Sequence, residues 1–414
     1  MRNTLFAGIS AVAFMVTGAA SAAAADFEVI HHFTAQTEAA SLKVVADLMK
    51  EQGVNWIDNA VAGPPNTRRL YTTRMQAGQP SQAYATVTNR DHLEFIEQGF
   101  LVDIDDVATA GKWRDVMSPA VIQAISGADG KIYLAPSALY VPNFVFYNKA
   151  LFDKLGITEP VGFGDDFFAA LDALKADGVV PLAFSGDAFH IRFPFEAILL
   201  ELGGPELWDQ VWNKRSSEAI HGDTVRQAFE TLARMRDYTD EGNIGRAWNL
   251  SANMVSSGEA GVQIIGLWAD GEYQAAGLSA GTDFGCYIPG ERDYVQLHGD
   301  VMVFPKQPGT DAATEDQKSF AALIVDPVVQ TAAVAPRGAL PVRTDAALPD
   351  NADLCSKLGY EAINTEGNVL ANPRSLITQQ MDGEYRDIVN EFWSNPDMSV
   401  DEVVDGFANA LQAE

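Results

Sequence analysis

The sequence predicts an α/β fold built as two lobes joined by several chain crossings. Three observations predict it. Short β-prone runs alternate with helical apolar patterns along the chain, the order expected where helices pack on sheets. No Pro/Gly-rich linker, internal repeat or low-complexity tract cuts the chain into separate beads. Once a leader is removed, the remaining length still suits two units at ~100–200 residues per domain.

The elements follow in order. Arg2 and Asn3 precede a mostly apolar run over 5–16, and 18–25 supplies small residues, with Asp26 as the expected mature start. Basic, apolar and small segments in that order read as a secretory signal peptide over 1–25. A membrane anchor is the alternative, but the apolar run is shorter than the ~20 residues a spanning helix needs. There is no cysteine near the cleavage region to take a lipid, and no later stretch is long and apolar enough to span. The expected mature protein is exported, free and soluble, in the periplasm.

Residues 27–33 form a β-prone run, and a helical face of Leu42, Val45, Leu48 and Met49 follows, stopped at Gly53. A strand is expected over 83–87, then a helix through Phe95 to Gly99. The Asp129-Gly130 turn signal precedes a strand over 130–136. Further strands are expected over 144–147 and 179–184, with helices around 151–155 and 193–202. Strands over 261–265, 285–288 and 301–304 then give way to mostly helical, acidic segments.

Composition supplies a large core: 47% of residues are hydrophobic and 20% charged. The formal net charge is −28. Because 1–25 contains Arg2 and no acid, the mature chain is one unit more negative. Such a surface disfavours nucleic acid and anionic membranes as partners. The two cysteines, Cys286 and Cys355, lie in the exported part. An oxidising compartment allows a disulfide between them, two separate buried thiols being the alternative. They cannot make a closed structural zinc site, and no histidine stands at ligand spacing beside either.

Enzyme chemistry leaves no frame in the sequence. There is no Gly-x-Ser-x-Gly elbow, no His-Glu-x-x-His helix and no complete phosphate loop. Gly127-Ala-Asp-Gly-Lys131 has the wrong spacing for a phosphate loop and reads as a turn. Carboxylate pairs suited to a glycosidase are not excluded by counting among 56 acids. His31 and His32 would point to opposite faces of a strand, which argues against a shared metal. At the strand's carboxyl end, however, His32, Phe33 and Thr34 are reasonable ligand contacts.

Sugar recognition needs aromatic faces for the CH side of the ring and polar or charged groups for the hydroxyls. Trp248-Asn249, Trp268-Ala-Asp270 and His298-Gly-Asp300 bring these together, Gly299 allowing close backbone approach. A lone tryptophan is more often core than ligand, so only their joint placement carries the functional reading.

Gly130-Lys-Ile-Tyr-Leu-Ala-Pro136 and Phe146-Tyr-Asn-Lys-Ala-Leu-Phe-Asp-Lys-Leu-Gly156 resemble the central signature of extracellular solute-binding proteins of the maltose-binding class. Gln98-Gly99 with Leu101-Val-Asp-Ile-Asp105, and Gly258-Glu-Ala-Gly261 followed by Gly266-Leu-Trp268, are similar to further segments of that family. The order and spacing fit over nearly the whole mature chain. Tyr238-Thr-Asp240, Gly245-Arg246, Trp248-Asn249, and Glu272 with Ala275-Ala-Gly277 resemble the glucose/mannose-type branch. Both cysteines sit where that branch tends to have them, which supports the disulfide.

The resemblance implies a two-lobed periplasmic-binding-protein fold with a hinge and an interlobe cleft that closes on its ligand. It implies a carbohydrate ligand, mono- or small oligosaccharide, an ABC permease as partner, no cofactor and no catalysis. Trp268 and Asp300 carry over as ligand contacts, as does Glu38, and Tyr140, His190 and Arg192 fall where the wider family has cleft residues. The departures are specific. A His-Trp-Trp opening becomes His31-His32-Phe33, a lysine becomes Thr88, an Asn-x-Asp motif becomes His298-Gly299-Asp300, and a late histidine is replaced around Pro373-Arg374. Arg192 and Arg374 suit a carboxylate-bearing sugar, arginines on a solvated face being the alternative. The expectation is a monomeric binder with lobes of 26–137 plus 297–343 and 138–296 plus 344–414. A binder of a sugar acid or polyol, and an exported glycosidase, are the competing readings.

Overall fold

The computed structural model describes residues 26–187 and 189–412, so the expected leader over 1–25 lies outside the described residues. Among the described residues there are ten strands: β1 Asp26–His31, β2 Asn55–Ala60, β3 Ala83–Val87, β4 Leu134–Tyr140, β5 Phe144–Asn148, β6 Val180–Leu182, β7 Ala260–Ile265, β8 Phe284–Tyr287, β9 Val295–Val303 and β10 Val369–Ala371. They form two sheets with helices packed around them, a two-lobed α/β architecture. The larger sheet runs β10-β9-β3-β1-β2, with β4 also paired to β9, and the smaller runs β6-β7-β5-β8.

β1 pairs parallel with β2 and β3, so a helix must return the chain between strands. Helix Gln36–Glu51 does so, and Leu42, Val45 and Met49 are buried as their spacing predicts. β9 is the common element. It pairs antiparallel with β3 and β4 through its second half and parallel with β10 through Val295–Leu297.

Among the described residues two hydrophobic clusters form, and strands of the smaller sheet contribute to both, Phe144 and Phe146 to the first and Val145 to the second. One gathers Phe27, Tyr84, Phe304 and Phe320. The other gathers Phe167, Phe195, Trp212 and Phe229, and the tail helices Gln379–Ser394 and Val400–Ala410 close it with Tyr385, Phe392 and Phe407. Cys286 on β8 and Cys355 on helix Leu354–Asn364 form a disulfide. Among the described residues no single helix is long and apolar enough to cross a membrane.

Several expected bounds move. The strand expected over 130–136 begins at Leu134, because Gly130 takes a positive φ of 78° and the Ile132 amide donates to Asp105 instead of a ladder. The strand expected over 301–304 begins at Val295, which puts His298 and Asp300 inside a strand. β2 was not expected: Trp56 is its only fully covered side chain, so it shows no alternation. Nor was helix Pro64–Gln76, which starts on two prolines and buries only Thr67, Tyr71 and Met75.

Candidate functional site

A cavity of about 530 Å³ opens beside the end of β4 and the middle of β9, within the ~300–1,000 Å³ typical of small-molecule sites. It is lined by His32, Glu38, Tyr140, His190, Trp248, Asn249, Trp268, His298 and Asp300 from the sequence-expected set. Thr34, Ala35, the segment Ala62 to Asn66, Val87, Asp187, Phe189, Ala247 and Arg337 complete it.

The strand period explains the polar wall. His298 and Asp300 are two apart on β9 and therefore share a face. Gly299 between them meets β4 so closely that a Cβ there would lie 2.7 Å from the Ala138 carbonyl oxygen. Tyr140, the last residue of β4, donates its hydroxyl to Asp300 Oδ2 at 3.1 Å. Arg337 Nη2 donates to the same oxygen at 2.6 Å, and His32 Nε2 lies 3.4 Å from Oδ1. Burial alone would raise the Asp300 carboxyl, but Arg337 and His32 hold it well below the usual carboxylate range. Asp300 is therefore a fixed anion with most of its acceptor capacity occupied.

The aromatic wall depends on another glycine. Trp268 follows β7 in a short 3-10 turn, Leu267–Ala269, and its ring folds back over Gly266, where a Cβ would meet it at 2.0 Å. Phe193, Tyr140, His298 and His190 surround it at centroid distances of 5.2, 5.7, 5.8 and 6.0 Å. Trp248 opens helix Trp248–Ser256 and lies 6.3 Å from His190. Asp187 Oδ2 meets His190 Nδ1 at 2.7 Å, and Asp187 Oδ1 accepts the His190 and Phe189 amides.

His298 has a defined protonation form. Asn372 Oδ1 accepts the Arg374 amide, so its Nδ2 must be the group facing His298 Nδ1 at 3.2 Å. That nitrogen is then an acceptor, and Nε2 carries the proton. Burial, with the Arg192 guanidinium nearby, pushes the imidazole well below its usual value, so it is neutral at neutral pH.

Five expected residues lie behind the cavity and do not line it. Phe33 is buried beneath Arg337, whose guanidinium sits 4.6 Å from its ring. Thr88 donates its amide to the Gly299 carbonyl and packs behind β9. Asp270 is 0% exposed; its Oδ2 accepts Ser356 Oγ and Gln274 Nε2. Its carboxyl is raised well above the ordinary value by burial and then by Asp353. Asp270, Asp353 and Cys355 have ligand atoms within 4.8 Å of one another, but the Cys355 sulfur is already bonded to Cys286.

Arg192 and Arg374 fit neither sequence-based expectation: they are 0% and 7% exposed, so neither lies on a solvated face, and neither lines the cavity. Arg192 Nη1 donates to Asp382 Oδ1 at 3.3 Å and lies 3.8 Å from Glu196, while Arg374 Nε lies 3.3 Å from Asp382 Oδ2. Both guanidiniums stack on Phe189, at 4.7 and 5.6 Å.

Sequence reasoning missed Arg337 altogether. No motif surrounds it, and its role comes from a 3-10 turn, Ala335–Arg337, brought against β9 by packing. Asn372 was missed for the same reason. Asp187 and Phe189 carried a local signal, since both flank the expected His190.

Residues 43–354 match the model of the family described as bacterial extracellular solute-binding protein. A probable sugar-binding periplasmic protein of Brucella melitensis biotype 1 is 33% identical over 378 residues, covering 86% of this chain and 88% of its own. One from Rhizobium meliloti is 32% identical over 393 residues, covering 90% and 93%. Among solved structures, the bacterial solute receptor AcbH, described as having an exclusive preference for β-D-galactopyranose, superposes with a TM-score of 0.79 at 20% identity over 94% of this chain and 98% of its own. Maltose-bound MalE3 of T. maritima gives 0.77 at 16% identity over 94% and 99%.

Proposed function

From the premise that the chain belongs to the bacterial extracellular solute-binding protein family, we propose that it is the periplasmic carbohydrate-binding component of an ABC importer. It captures a mono- or small oligosaccharide between its lobes and delivers it, unchanged, to the membrane permease. One observation carries the reading: an aromatic wall built on Trp268 and a polar wall built on Asp300, Arg337 and His298 line the same cavity. A pyranose offers apolar CH faces to the first and hydroxyls to the second. The curated relatives named as sugar-binding periplasmic proteins agree with it.

The contacts we assign to the ligand are His32, Glu38, Tyr140, His190, Trp248, Asn249, Trp268, His298 and Asp300, with Arg337 and Asp187 added. His298 offers its Nε2 proton, and Asp300 accepts from a hydroxyl through a remaining lone pair. The lobes we propose are 26–137 plus 297–343 and 138–296 plus 344–414. In support, β1 to β3 share one sheet, and the tail helices pack in the second hydrophobic cluster. β9 and β4 would then carry the crossings.

Binding without turnover is part of the proposal. A glycosidase needs a carboxyl that holds its proton near neutral pH. The acids held above their ordinary values by burial, Glu196, Glu201 and Asp270, line no part of the cavity, and Asp187 and Asp300 are held below theirs.

A thermal-shift screen of the mature protein against neutral sugars, uronic acids, polyols and disaccharides tests this. A ligand at about a hundred times its dissociation constant adds roughly 2.7 kcal/mol of stability. The expected result is a selective shift that Trp268→Ala abolishes. No shift from any carbohydrate, or conversion of one to product, overturns the reading.

A further inference from the structure

We propose that the cleft selects by ligand charge, accepting uncharged and ammonium-bearing sugars and rejecting those that carry a carboxylate; this rests on the carbohydrate reading above. Among the described residues that line the cavity, Arg337 is the only lysine or arginine, against the carboxylates of Glu38, Asp187 and Asp300. Arg337 already pairs its charge with Asp300, while its buried Nε has no hydrogen-bond partner. Its Nη2 donates to Asp300 at 2.6 Å, and its plane lies over the rings of Phe33 and Tyr140 at 4.6 and 5.1 Å.

The two arginines best placed in the sequence to clamp a carboxylate are turned away. Arg192 and Arg374 lie beneath Phe189 and direct their charge to Asp382 and Glu196. His298 is held neutral by burial and by its neighbouring arginine. Any charge on His190 is taken up by Asp187, whose Oδ2 it meets at 2.7 Å.

A carboxylate in the cavity therefore finds no guanidinium that lacks a carboxylate partner. It meets instead Glu38, Asp187 and Asp300, three carboxylates against the single guanidinium of Arg337, in a partly desolvated space where charge acts strongly. An ammonium group finds the reverse. The chain's net charge of −28 adds a long-range field of the same sign, which slows anionic ligands on approach.

Titration calorimetry at pH 7 on the mature protein tests this with matched probes in the gluco, galacto and manno series. Each set holds a hexose, its 2-amino-2-deoxy form, its hexuronate and its uncharged hexuronamide. In a series whose hexose binds, the hexuronate is expected to bind at least about tenfold more weakly than its amide. Raising salt from about 20 to 500 mM screens these charges; it is expected to narrow that gap and to weaken the amino sugar. Glu38→Gln, which keeps the acceptor for the Thr34 and Ala35 amides, and Asp187→Asn are each expected to narrow the gap. Their melting curves report whether they fold, and the wild-type probe series decides the question without them.

A hexuronate that matches or exceeds its amide, or a gap that salt does not change, overturns the charge selection and leaves the carbohydrate reading standing. Failure of every probe, neutral hexoses included, together with no shift from any carbohydrate in the thermal screen, overturns both.

Discussion

Two buried carboxylates, Asp300 and Asp382, each meet arginine, and they do different work. Asp300 lines the cavity, takes short hydrogen bonds from Arg337 at 2.6 Å and Tyr140 at 3.1 Å, and belongs to a strand. Asp382 lies under the cavity floor on the tail helix Gln379–Ser394, where Arg192, Arg374 and Arg386 approach it at 3.2–3.3 Å. The first is a preorganised polar surface that keeps some acceptor capacity for a ligand. The second ties the tail to helix Arg192–Trp208 and, through the two guanidiniums stacked on Phe189, supports one wall of the site. The contrast shows that residue type and sequence position do not decide which arginine meets a ligand; packing does.

The comparison breaks first at Asp382. Asp382→Ala takes a shared carboxylate from the buried Arg192 and Arg374, and removing one partner of such a cluster costs about 3–5 kcal/mol. Chemical denaturation is expected to show a loss of that size. A loss below about 1 kcal/mol, the range of exposed pairs, would contradict the role assigned to the cluster.

The disulfide provides a contrast that touches neither network. Cys286 and Cys355 close a segment of 69 residues, and losing such a link typically costs about 2–4 kcal/mol. Cys286→Ser with Cys355→Ser is expected to lower the free energy of unfolding by that amount while ligand affinity changes less than about threefold. A collapse of affinity in a folded double variant would show that the link shapes the cleft.

Gly266→Ala sharpens the aromatic side. Its new methyl meets the Trp268 ring, and overpacking of this kind costs about 1–3 kcal/mol. Affinity is expected to fall at least about tenfold with unchanged circular dichroism. Unaltered affinity would mean that the ring position is not required.

The smallest expected effect is in pH. His298 has a folded value below its unfolded one, as do His31 and His92. Their contribution to stability is therefore full above the unfolded value of about 6.5. It is lost as pH falls toward the folded values, at no more than about 1.4 kcal/mol per pH unit for each proton. Asp300 also titrates below its unfolded value, so its contribution is lost only below about pH 4. Stability is expected to decline between pH 6.5 and 5 in a denaturant series, less steeply in His298→Gln. An equal slope in the variant would contradict a buried neutral His298.

The same contrast marks what the sequence could reveal. Alternating strands and helices, the stop at Gly53 and the Trp268 segment were legible because each is encoded within a dozen residues. Cys286 and Cys355 were legible as a pair because there are no others. His31 and His32 diverge as strand alternation requires, one to Asp58 and the other to the cavity. Arg337 and Asn372 were not legible, because their positions depend on contacts with β9, 37 and 74 residues away in sequence. Arg192 misled for the same reason, since Asp382 folds over it from 190 residues away in sequence.

The most direct test of the central claim is titration calorimetry of the sugar that stabilises the wild type most, against wild type, Asp300→Asn and Asp382→Asn, with the sugar recovered and identified afterwards. The account expects one-to-one binding, recovery of the sugar unchanged, and a far larger loss of affinity at Asp300 than at Asp382. Equal losses at both sites, or a chemically altered sugar, would contradict it.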